Sequence, residues 1–183
     1  MRFEPLGIHG AWIIEPEPIR DARGGFARIF CAETFAKRGL CSRFDQVSWS
    51  QNLRAGTLRG LHLQRPPHGE AKLIRATAGA VFDVAADLRP NSPTYGQWAG
   101  VELSSANLRL VYLPEGVAHG FQSLVDDAEL TYQISVRYTP EAQDGVAWND
   151  PDLAVRWPDP KGAILSERDQ GLCSLREFRP LLD

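Results

Sequence analysis

Between residues 72 and 138 the sequence contains a series of short strand-like runs with turn signals between them. The turn signals are Ala78-Gly79, Pro90-Asn91-Ser92-Pro93 and the segment 104–107. The strand-like runs cover residues 72–77, 80–88, 95–103, 109–113, 120–124 and 130–138. Closely spaced strands with Gly, Pro and Asn between them predict an all-β sandwich or barrel. Short helices are expected over residues 33–39 and 165–170.

Composition and charge narrow the class of protein. With 183 residues, 43% of them hydrophobic and 23% charged, the chain is expected to form one domain, residues 1–183, around one core. A net charge of −3 argues against binding of nucleic acid or of an anionic membrane. No apolar run approaches the roughly 18 residues of a transmembrane helix, and no secretory signal is recognised. Three cysteines without a C-x-x-C motif suit a reducing cytoplasm.

Residues 57–72, T-L-R-G-L-H-L-Q-R-P-P-H-G-E-A-K, have the pattern of a strand followed by a loop. Buried strands avoid cations, and solvent-exposed strands seldom carry three closely spaced leucines. A strand that lines a pocket explains both features, and the alternative is a surface strand with scattered charges. Strict alternation would place Arg59 and His62 on opposite faces, but a bulge at Gly60 would bring them together. With Lys72 nearby, the expected ligand is an anion.

A second polar wall is predicted from the strand that follows Phe44. Gln46, Ser48, Ser50 and Asn52 occupy every second position of this strand, with bulky residues between them. Amides and hydroxyls, rather than Lys and Glu, favour a pocket wall over a solvated surface. The alternative is an ordinary edge strand.

Residues 114–119, P-E-G-V-A-H, fit the P-x-G-x-x-H motif of cupins, which are jelly-roll barrels. Metal cupins also carry an H-x-H motif, but here Gln64 replaces the second histidine. Catalytic zinc or non-haem iron usually takes at least three protein ligands. His62, His119 and Glu70 could supply them, with Gln64 as a weak fourth. Because the second histidine is missing, we predict neither a bound metal nor another cofactor.

Eight segments spread along the chain match those of one enzyme family. They are D-A-R-G-G-F (21–26), L-R-G-L-H-L-Q-R-P-P (58–67), K-L-I-R-A-T-A-G-A-V-F-D-V (72–84), D-L-R-P-N-S-P-T-Y-G-Q-W (87–98), L-P-E-G-V-A-H-G-F (113–121), Y-Q-I-S-V-R-Y-T-P-E (132–141), W-N-D-P (148–151) and I-L-S-E-R-D (164–169). On these segments the chain resembles the dTDP-4-dehydrorhamnose 3,5-epimerase family. The resemblance implies a cupin-type jelly-roll barrel with short peripheral helices, metal-free and usually a homodimer. It also implies a substrate, a nucleoside-diphosphate 4-keto-6-deoxyhexose, that is inverted at carbons next to the ketone.

The resemblance assigns catalytic roles that make chemical sense. A proton α to a ketone is weakly acidic, so its removal needs a base tuned near neutral pH and a group that stabilises the enolate. The unperturbed pKa of an imidazole suits His62 as the base, and in the family Asp169 orients it. Inversion needs a proton delivered to the opposite face, which is the family role of Tyr132, while Lys72 would hold the enolate oxygen. Taken singly, Tyr132 could merely pack in a strand and Asp169 could cap a helix.

The resemblance also implies a binding set for the nucleotide sugar. Arg59 and Arg23 would hold the diphosphate, and Tyr138 would stack on the base. In the family, Arg23 and Phe26 reach into the site of the neighbouring subunit. The expected substrate-binding residues are Arg23, Phe26, Arg28, Gln46, Ser48, Arg59, His119, Tyr138, Gln143 and Arg168.

Four departures from the family pattern concern recognition rather than chemistry. Many members carry Gln-x-Asn-x-Ser-x-Ser where this chain has Gln-x-Ser-x-Ser-x-Asn over residues 46–52, with one extra residue before Gly56. Arg28 replaces an acidic residue, Gln143 a typical Glu, and Arg168 a typical Lys. The resemblance implies conversion of dTDP-4-dehydro-6-deoxyglucose to dTDP-4-dehydrorhamnose, or a related deoxysugar reaction. Because of the four departures, a CDP- or GDP-linked sugar and inversion at C3 or C5 alone stay open as alternatives.

Two rival functions are a metal-dependent cupin oxygenase or isomerase and a cupin that binds a nucleotide sugar without turnover. Bound iron, zinc or manganese would favour the first. Tyr132 and Asp169 argue against the second, because simple binding requires neither an oriented base nor an opposed acid.

Overall fold

The computed structural model describes residues 1–181, and its regular structure is dominated by short strands. The strands are β1 (Arg2–Pro5), β2 (Trp12–Glu15), β3 (Ile19–Asp21), β4 (Gly24–Phe26), β5 (Gln46–Asn52), β6 (Leu58–Gln64), β7 (Lys72–Ala78), β8 (Ala80–Asp87), β9 (Trp98–Ser104), β10 (Leu110–Leu113), β11 (Val117–Ser123), β12 (Ala128–Ile134) and β13 (Gln143–Gly145). The helical segments are α1 (Ala32–Ala36), a 3-10 turn (Pro140–Ala142) and α2 (Glu167–Gln170).

Strands β5 to β12 pair in a nested order, with the innermost two strands paired together and each earlier strand paired with the correspondingly later one. β8 pairs with β9, β7 with β10, β6 with β11 and β5 with β12, and every pair is antiparallel. The strands divide between two sheets, of order β10-β7-β12-β5 and β6-β11-β8-β9. This nested pairing across two sheets is the topology of a jelly roll. The predicted all-β fold is confirmed.

Apolar side chains from both sheets fill one end of the space between them. This core includes Ile74 and Leu130 from the first sheet and Val81, Leu103 and Phe121 from the second. The sheets therefore pack as a sandwich over a common core. The other end holds the polar cavity described below.

The outer faces of both sheets are covered by the segments that flank the jelly roll. Phe35 of α1 packs with Phe30 and Tyr112 against the first sheet. Trp157 and Phe178, from the irregular C-terminal segment, cover the second sheet. Leu58, Leu61 and Leu63 of β6 are buried beneath this second cover. The leucines of β6 therefore pack in an outer core, which leaves most of the inner face of the strand to polar residues.

The N-terminal segment extends the first sheet. β1 and β2 pair with each other, and β2 pairs with β10. Backbone pairing to an existing sheet stabilises strands that are too short to persist alone. β3 and β4 pair only with each other among the described strands, and they form an exposed ribbon over residues 19–26.

Some strand boundaries in the structure differ from the predicted boundaries by a few residues. β11 begins at Val117 rather than at residue 120, which places His119 within a strand. β12 ends at Ile134, so Tyr138 lies in the following loop. β13 was missed because a three-residue polar segment carries no periodic signal. In residues 1–181, no helix is long and apolar enough to cross a membrane.

Candidate active site

A bulge in β6 turns two polar side chains toward the barrel interior. Between Arg59 and His62, β6 carries one residue more than the facing part of β11. Gly60 has a φ of 122°, a conformation that favours glycine. A Cβ at Gly60 would lie 2.5 Å from the Cα of Gly120 on β11, closer than real Cβ atoms approach. The predicted bulge is confirmed, and Arg59 and His62 line the same cavity.

This cavity, of about 350 Å³, lies between the two sheets. Ten of the fourteen predicted site residues line it: Ser48, Arg59, His62, Lys72, His119, Tyr132, Tyr138, Gln143, Arg168 and Asp169. The remaining lining residues are Leu63, Glu70, Phe121, Ile134 and Ser166. The cavity therefore gathers residues from both sheets, from α2 and from the loop after β12.

The imidazole of His62 is paired with a buried carboxylate. Nε2 of His62 lies 2.6 Å from Oδ1 of Asp169, whose side chain is 5% exposed. Asp169 is held in turn by its position in α2, where its backbone N–H donates to Oγ of Ser166, the N-cap residue. Burial by itself raises the pKa of the Asp169 carboxyl. The hydrogen bond and charge of His62, together with hydrogen bonds from Ser166 and from the backbone of Gly60, outweigh burial, so this pKa lies below its usual value.

The ionised carboxylate determines the tautomer of the neutral imidazole. Because a carboxylate only accepts hydrogen bonds, Nε2–H of His62 is the donor to Asp169. The lone pair of the neutral ring is then on Nδ1. The same carboxylate stabilises the imidazolium that forms when the ring takes up a proton. His62 is therefore equipped to act as a general base.

Tyr132 reaches the cavity from the opposite sheet. It lies on β12, and its hydroxyl oxygen is 3.2 Å from Oγ of Ser50 on β5. Burial raises the pKa of Tyr132, and this effect outweighs the lowering by the hydrogen bond to Ser50 and the charge of Arg59. The hydroxyl is therefore protonated at neutral pH and able to donate a proton. Ser50 was predicted only as part of a polar wall, and the structure gives it a specific partner.

A second histidine–aspartate pair lies beside the first. His119 on β11 pairs in register with His62 on β6, and its Nε2 is 2.7 Å from Oδ2 of Asp83 on β8. Both side chains are buried, and the His119 ring meets the Tyr132 ring edge to face at 5.9 Å. Asp83 was not predicted as a site residue. The available signal was a carboxylate in the middle of β8, a strand that is apolar except for Asp83 and the terminal Asp87.

Lys72 contributes a buried positive charge to the cavity. Its Nζ lies 2.9 Å from Oε1 of Glu70 and donates to the backbone carbonyl of His62 at 3.1 Å. The side chains of Lys72 and Glu70 are 9% and 10% exposed, respectively. Glu70 offsets part of this charge, but screening by solvent is weak in such a site, so the ammonium can still attract an anion that forms nearby.

The guanidinium of Arg59 is oriented by two neighbours on β5. Nε donates to Oδ1 of Asn52 at 2.9 Å, and Nη2 donates to the carbonyl of Gln51 at 3.2 Å. Asn52, which departs from the family pattern, also donates to the carbonyl of Ala128 at 3.0 Å. The end of the guanidinium formed by Nη1 and Nη2 keeps donors for an anion.

The residues considered as metal ligands have other partners. His62 contacts Asp169, His119 contacts Asp83, and Glu70 contacts Lys72. Within residues 1–181, no group of three or more His, Cys, Asp and Glu side chains is placed to hold a metal ion.

Four predicted site residues do not line the cavity of this chain. Gln46 lies on β5, and its Oε1 accepts a hydrogen bond from the backbone N–H of Tyr138. Arg23 lies in the turn of the exposed ribbon, where it pairs with Asp21 at 2.6 Å. Phe26, 76% exposed, and Arg28 border a separate surface depression. Within one chain, the structure therefore does not bring the ribbon residues to the cavity.

Comparison with known proteins shows full-length similarity to one family. A family profile described as dTDP-4-dehydrorhamnose 3,5-epimerase matches residues 5–177. A relative with that name from Methanothermobacter thermautotrophicus is 46% identical over 179 residues, covering 96% of this chain and 95% of the relative. A dTDP-4-dehydrorhamnose 3-epimerase from Streptomyces niveus is 44% identical, covering 98% and 86%.

The fold comparison agrees with the sequence comparison. The crystal structure of dTDP-4-dehydrorhamnose 3,5-epimerase from Elizabethkingia anophelis superposes with a TM-score of 0.94 at 38% identity. The similarity covers 97% of each chain. The chain belongs to the dTDP-4-dehydrorhamnose 3,5-epimerase family.

Proposed function

We propose that this protein epimerises a dTDP-linked 4-keto-6-deoxyhexose at the carbons that flank the ketone, with His62 as base and Tyr132 as acid. The observation that carries this proposal is that His62 and Tyr132 lie on opposing sheets and line one cavity. A sugar between the two sheets would meet a base on one face and an acid on the other. Simple binding needs no such opposed pair, so the arrangement favours turnover.

The first step is removal of an α-proton. Nδ1 of neutral His62 takes the proton from the carbon next to the ketone, and the C–H electron pair forms the enolate. The negative charge develops on the ketone oxygen, where the ammonium of Lys72 stabilises it. Asp169 stabilises the imidazolium that results.

The second step delivers a proton to the opposite face. The hydroxyl of Tyr132 protonates the enolate carbon, and the ketone is restored with inverted configuration. Ser50 and Arg59 stabilise the phenolate that is left behind, because a hydrogen bond and a nearby cation both favour the charged form. Proton exchange with water then returns His62 to its neutral form and Tyr132 to its protonated form. No redox change or co-reactant is required.

Substrate binding is assigned to residues at the rim of the cavity. Arg59 would bind the diphosphate, and Tyr138, 51% exposed, offers a ring on which a base can stack. Gln143 and Arg168 also line the cavity and depart from the family pattern. We expect these two positions to tune recognition of the sugar or the base, because a neutral amide and a guanidinium replace a carboxylate and an ammonium.

We propose a homodimer whose ribbons complete the sites. The ribbon exposes Ile19 and Phe26, and the outer side of edge strand β5 exposes Val47 and Trp49. Exposed apolar groups of this size are typical of an interface. A ribbon that crosses to a partner would bring Arg23 to the partner's substrate. The reducing cytoplasm is the proposed location, which suits the three free cysteines.

Incubation in D₂O with dTDP-, CDP- and GDP-4-keto-6-deoxyglucose, followed by NMR, tests the proposal. We expect deuterium at C3, C5 or both with the dTDP sugar, together with an inverted product. The labelled carbons distinguish a 3,5-epimerase from a 3-epimerase, both of which occur among the similar proteins. Exchange with none of the three sugars would refute the proposed activity.

A further inference from the structure

Two glutamine side chains hold consecutive backbone N–H groups in the loop after β12. Oε1 of Gln46 accepts a hydrogen bond from the N–H of Tyr138. Oε1 of Gln64 accepts a hydrogen bond from the N–H of Thr139 at 2.6 Å. Gln46 lies on β5 and Gln64 on β6, which belong to different sheets. The loop is therefore tied to both walls of the barrel at the residue that faces the cavity.

Gln64 holds this loop and does not line the cavity. It is 1% exposed and is not among the residues that line the cavity. Its Nε2 donates to the carbonyls of His68 at 3.3 Å and Arg137 at 3.5 Å. With Oε1 on Thr139, the amide uses its acceptor and its donors on backbone groups. Gln64 occupies the place of the second metal-binding histidine of other cupins, so the amide has a structural use of its own there.

We propose that Gln64, with Gln46 as a second anchor, is a positioning residue that fixes the ring of Tyr138 where the nucleobase stacks. The proposal rests on the proposed function, in which Tyr138 contacts the base. A half-exposed ring on a free loop would lose conformational entropy when the ligand binds. A loop already ordered by two glutamines avoids most of that loss. Gln64 should therefore affect nucleotide affinity without touching the nucleotide.

The chemistry of the site explains why an amide is needed at position 64. The side chain must accept from the N–H of Thr139 and donate to the carbonyl of Arg137. Glutamate would accept but not donate, and its charge would face two carbonyl oxygens. Methionine has a similar length and supplies neither function, so Gln64→Met removes the anchor with little change in volume.

The test compares binding of dTDP and of inorganic pyrophosphate by calorimetry. We expect Gln64→Met to weaken dTDP roughly 5- to 30-fold, the range for loss of buried hydrogen bonds, and to leave pyrophosphate unchanged. In turnover, KM should rise while kcat stays near the wild-type value. Gln122→Met is the matched control, because Gln122 is also 1% exposed and holds a different loop through both backbone groups of Asp159. This control should leave dTDP affinity unchanged.

A double-mutant cycle with Tyr138→Ala separates positioning from general loosening of the fold. If Gln64 acts through Tyr138, Gln64→Met should have little further effect on dTDP affinity once the ring is gone. If Gln64→Met lowered dTDP affinity equally in the wild-type and the Tyr138→Ala protein, or lowered it in neither, the inference would be overturned. Should Gln64→Met fail to fold, the partly exposed Gln46 provides the test: Gln46→Glu keeps the acceptor for Tyr138, and Gln46→Met removes it. Failure of the wild-type protein to bind dTDP would overturn the proposed function as well.

Discussion

His62 and Asp169 are 107 positions apart in sequence, yet Nε2 of the imidazole lies 2.6 Å from Oδ1 of the carboxylate. The contact joins a strand of the barrel to α2, a four-residue helix in the irregular C-terminal segment. The isolated bridge between Thr57 and Ile164 fastens that segment beside the start of β6. The C-terminal segment therefore both covers the outer face of the second sheet and supplies the carboxylate that pairs with His62, the proposed base.

Removing the proposed base should strongly slow proton exchange. We expect His62→Ala to lower exchange of the α-proton with D₂O by about 10²- to 10⁴-fold, the usual contribution of a general base. Asp169→Asn should fall between His62→Ala and the wild type, because the imidazole remains but loses its orienting charge. NMR of deuterium uptake measures both. Near-normal exchange in His62→Ala would show that another residue is the base, and His119 would be the next candidate.

Removing the acid should separate exchange from inversion. Tyr132→Phe keeps the ring that packs against His119 and deletes only the hydroxyl. The enolate can still form, so we expect measurable α-proton exchange while the inverted product falls sharply. Comparing deuterium uptake with product formation in the same sample checks this. Loss of exchange equal to that of His62→Ala would contradict the division of roles.

Some features of the site can be predicted from local sequence patterns, whereas others depend on which strands and loops become neighbours. The bulge at Gly60 could be predicted because alternation, glycine and two polar residues all lie within four positions. The pairing of His119 with Asp83 could not be predicted, because it depends on which strands become neighbours in the sheet. The hydrogen bond of Gln46 to the backbone of Tyr138 is also invisible in sequence, since backbone groups leave no residue-specific signal.

The bulge itself should be sensitive to a single methyl group. Gly60→Ala places a Cβ 2.5 Å from the Cα of Gly120 at a φ of 122°. We expect a loss of about 2–5 kcal/mol in stability, from backbone conformation and steric overlap together, with loss of activity as Arg59 and His62 are displaced. Gly24 has a φ of 128° with nothing within 4 Å, so Gly24→Ala isolates the conformational part. Urea unfolding measures the loss of stability in both variants. Equal losses would contradict a role for the close approach of Gly60 to Gly120.

Asp87 should make stability depend on acid pH. Burial raises its pKa, but hydrogen bonds from Arg89, Ser92 and Thr94 outweigh burial and hold the pKa below the usual 3.8. A lowered folded-state pKa stabilises the protein above pH 3.8, and this contribution is lost as pH falls through the folded-state value. Asp87→Asn should therefore cost about 2–4 kcal/mol at pH 7 and less at pH 3, which lies below the unfolded-state value. Urea unfolding at both pH values checks this. A difference in stability between Asp87→Asn and the wild type that does not change with pH would contradict this prediction. Asp152→Asn is the control, because Asp152 lies in an exposed pair with Arg176 and its replacement should change stability little at either pH.

The proposed exchange of ribbons between subunits can be tested by complementation. Consider a mixed dimer of one His62→Ala chain and one Arg23→Ala chain. If Arg23 serves the partner's site, the site of the Arg23→Ala chain has its own His62 and receives an intact Arg23 from the other chain. Random reassortment of two inactive variants should then restore about a quarter of wild-type activity, because half of the dimers are mixed and each has one working site. If Arg23 served its own subunit, mixing would restore nothing. Sedimentation provides the accompanying check, since a species of monomer size alone at micromolar concentration would rule out the shared site.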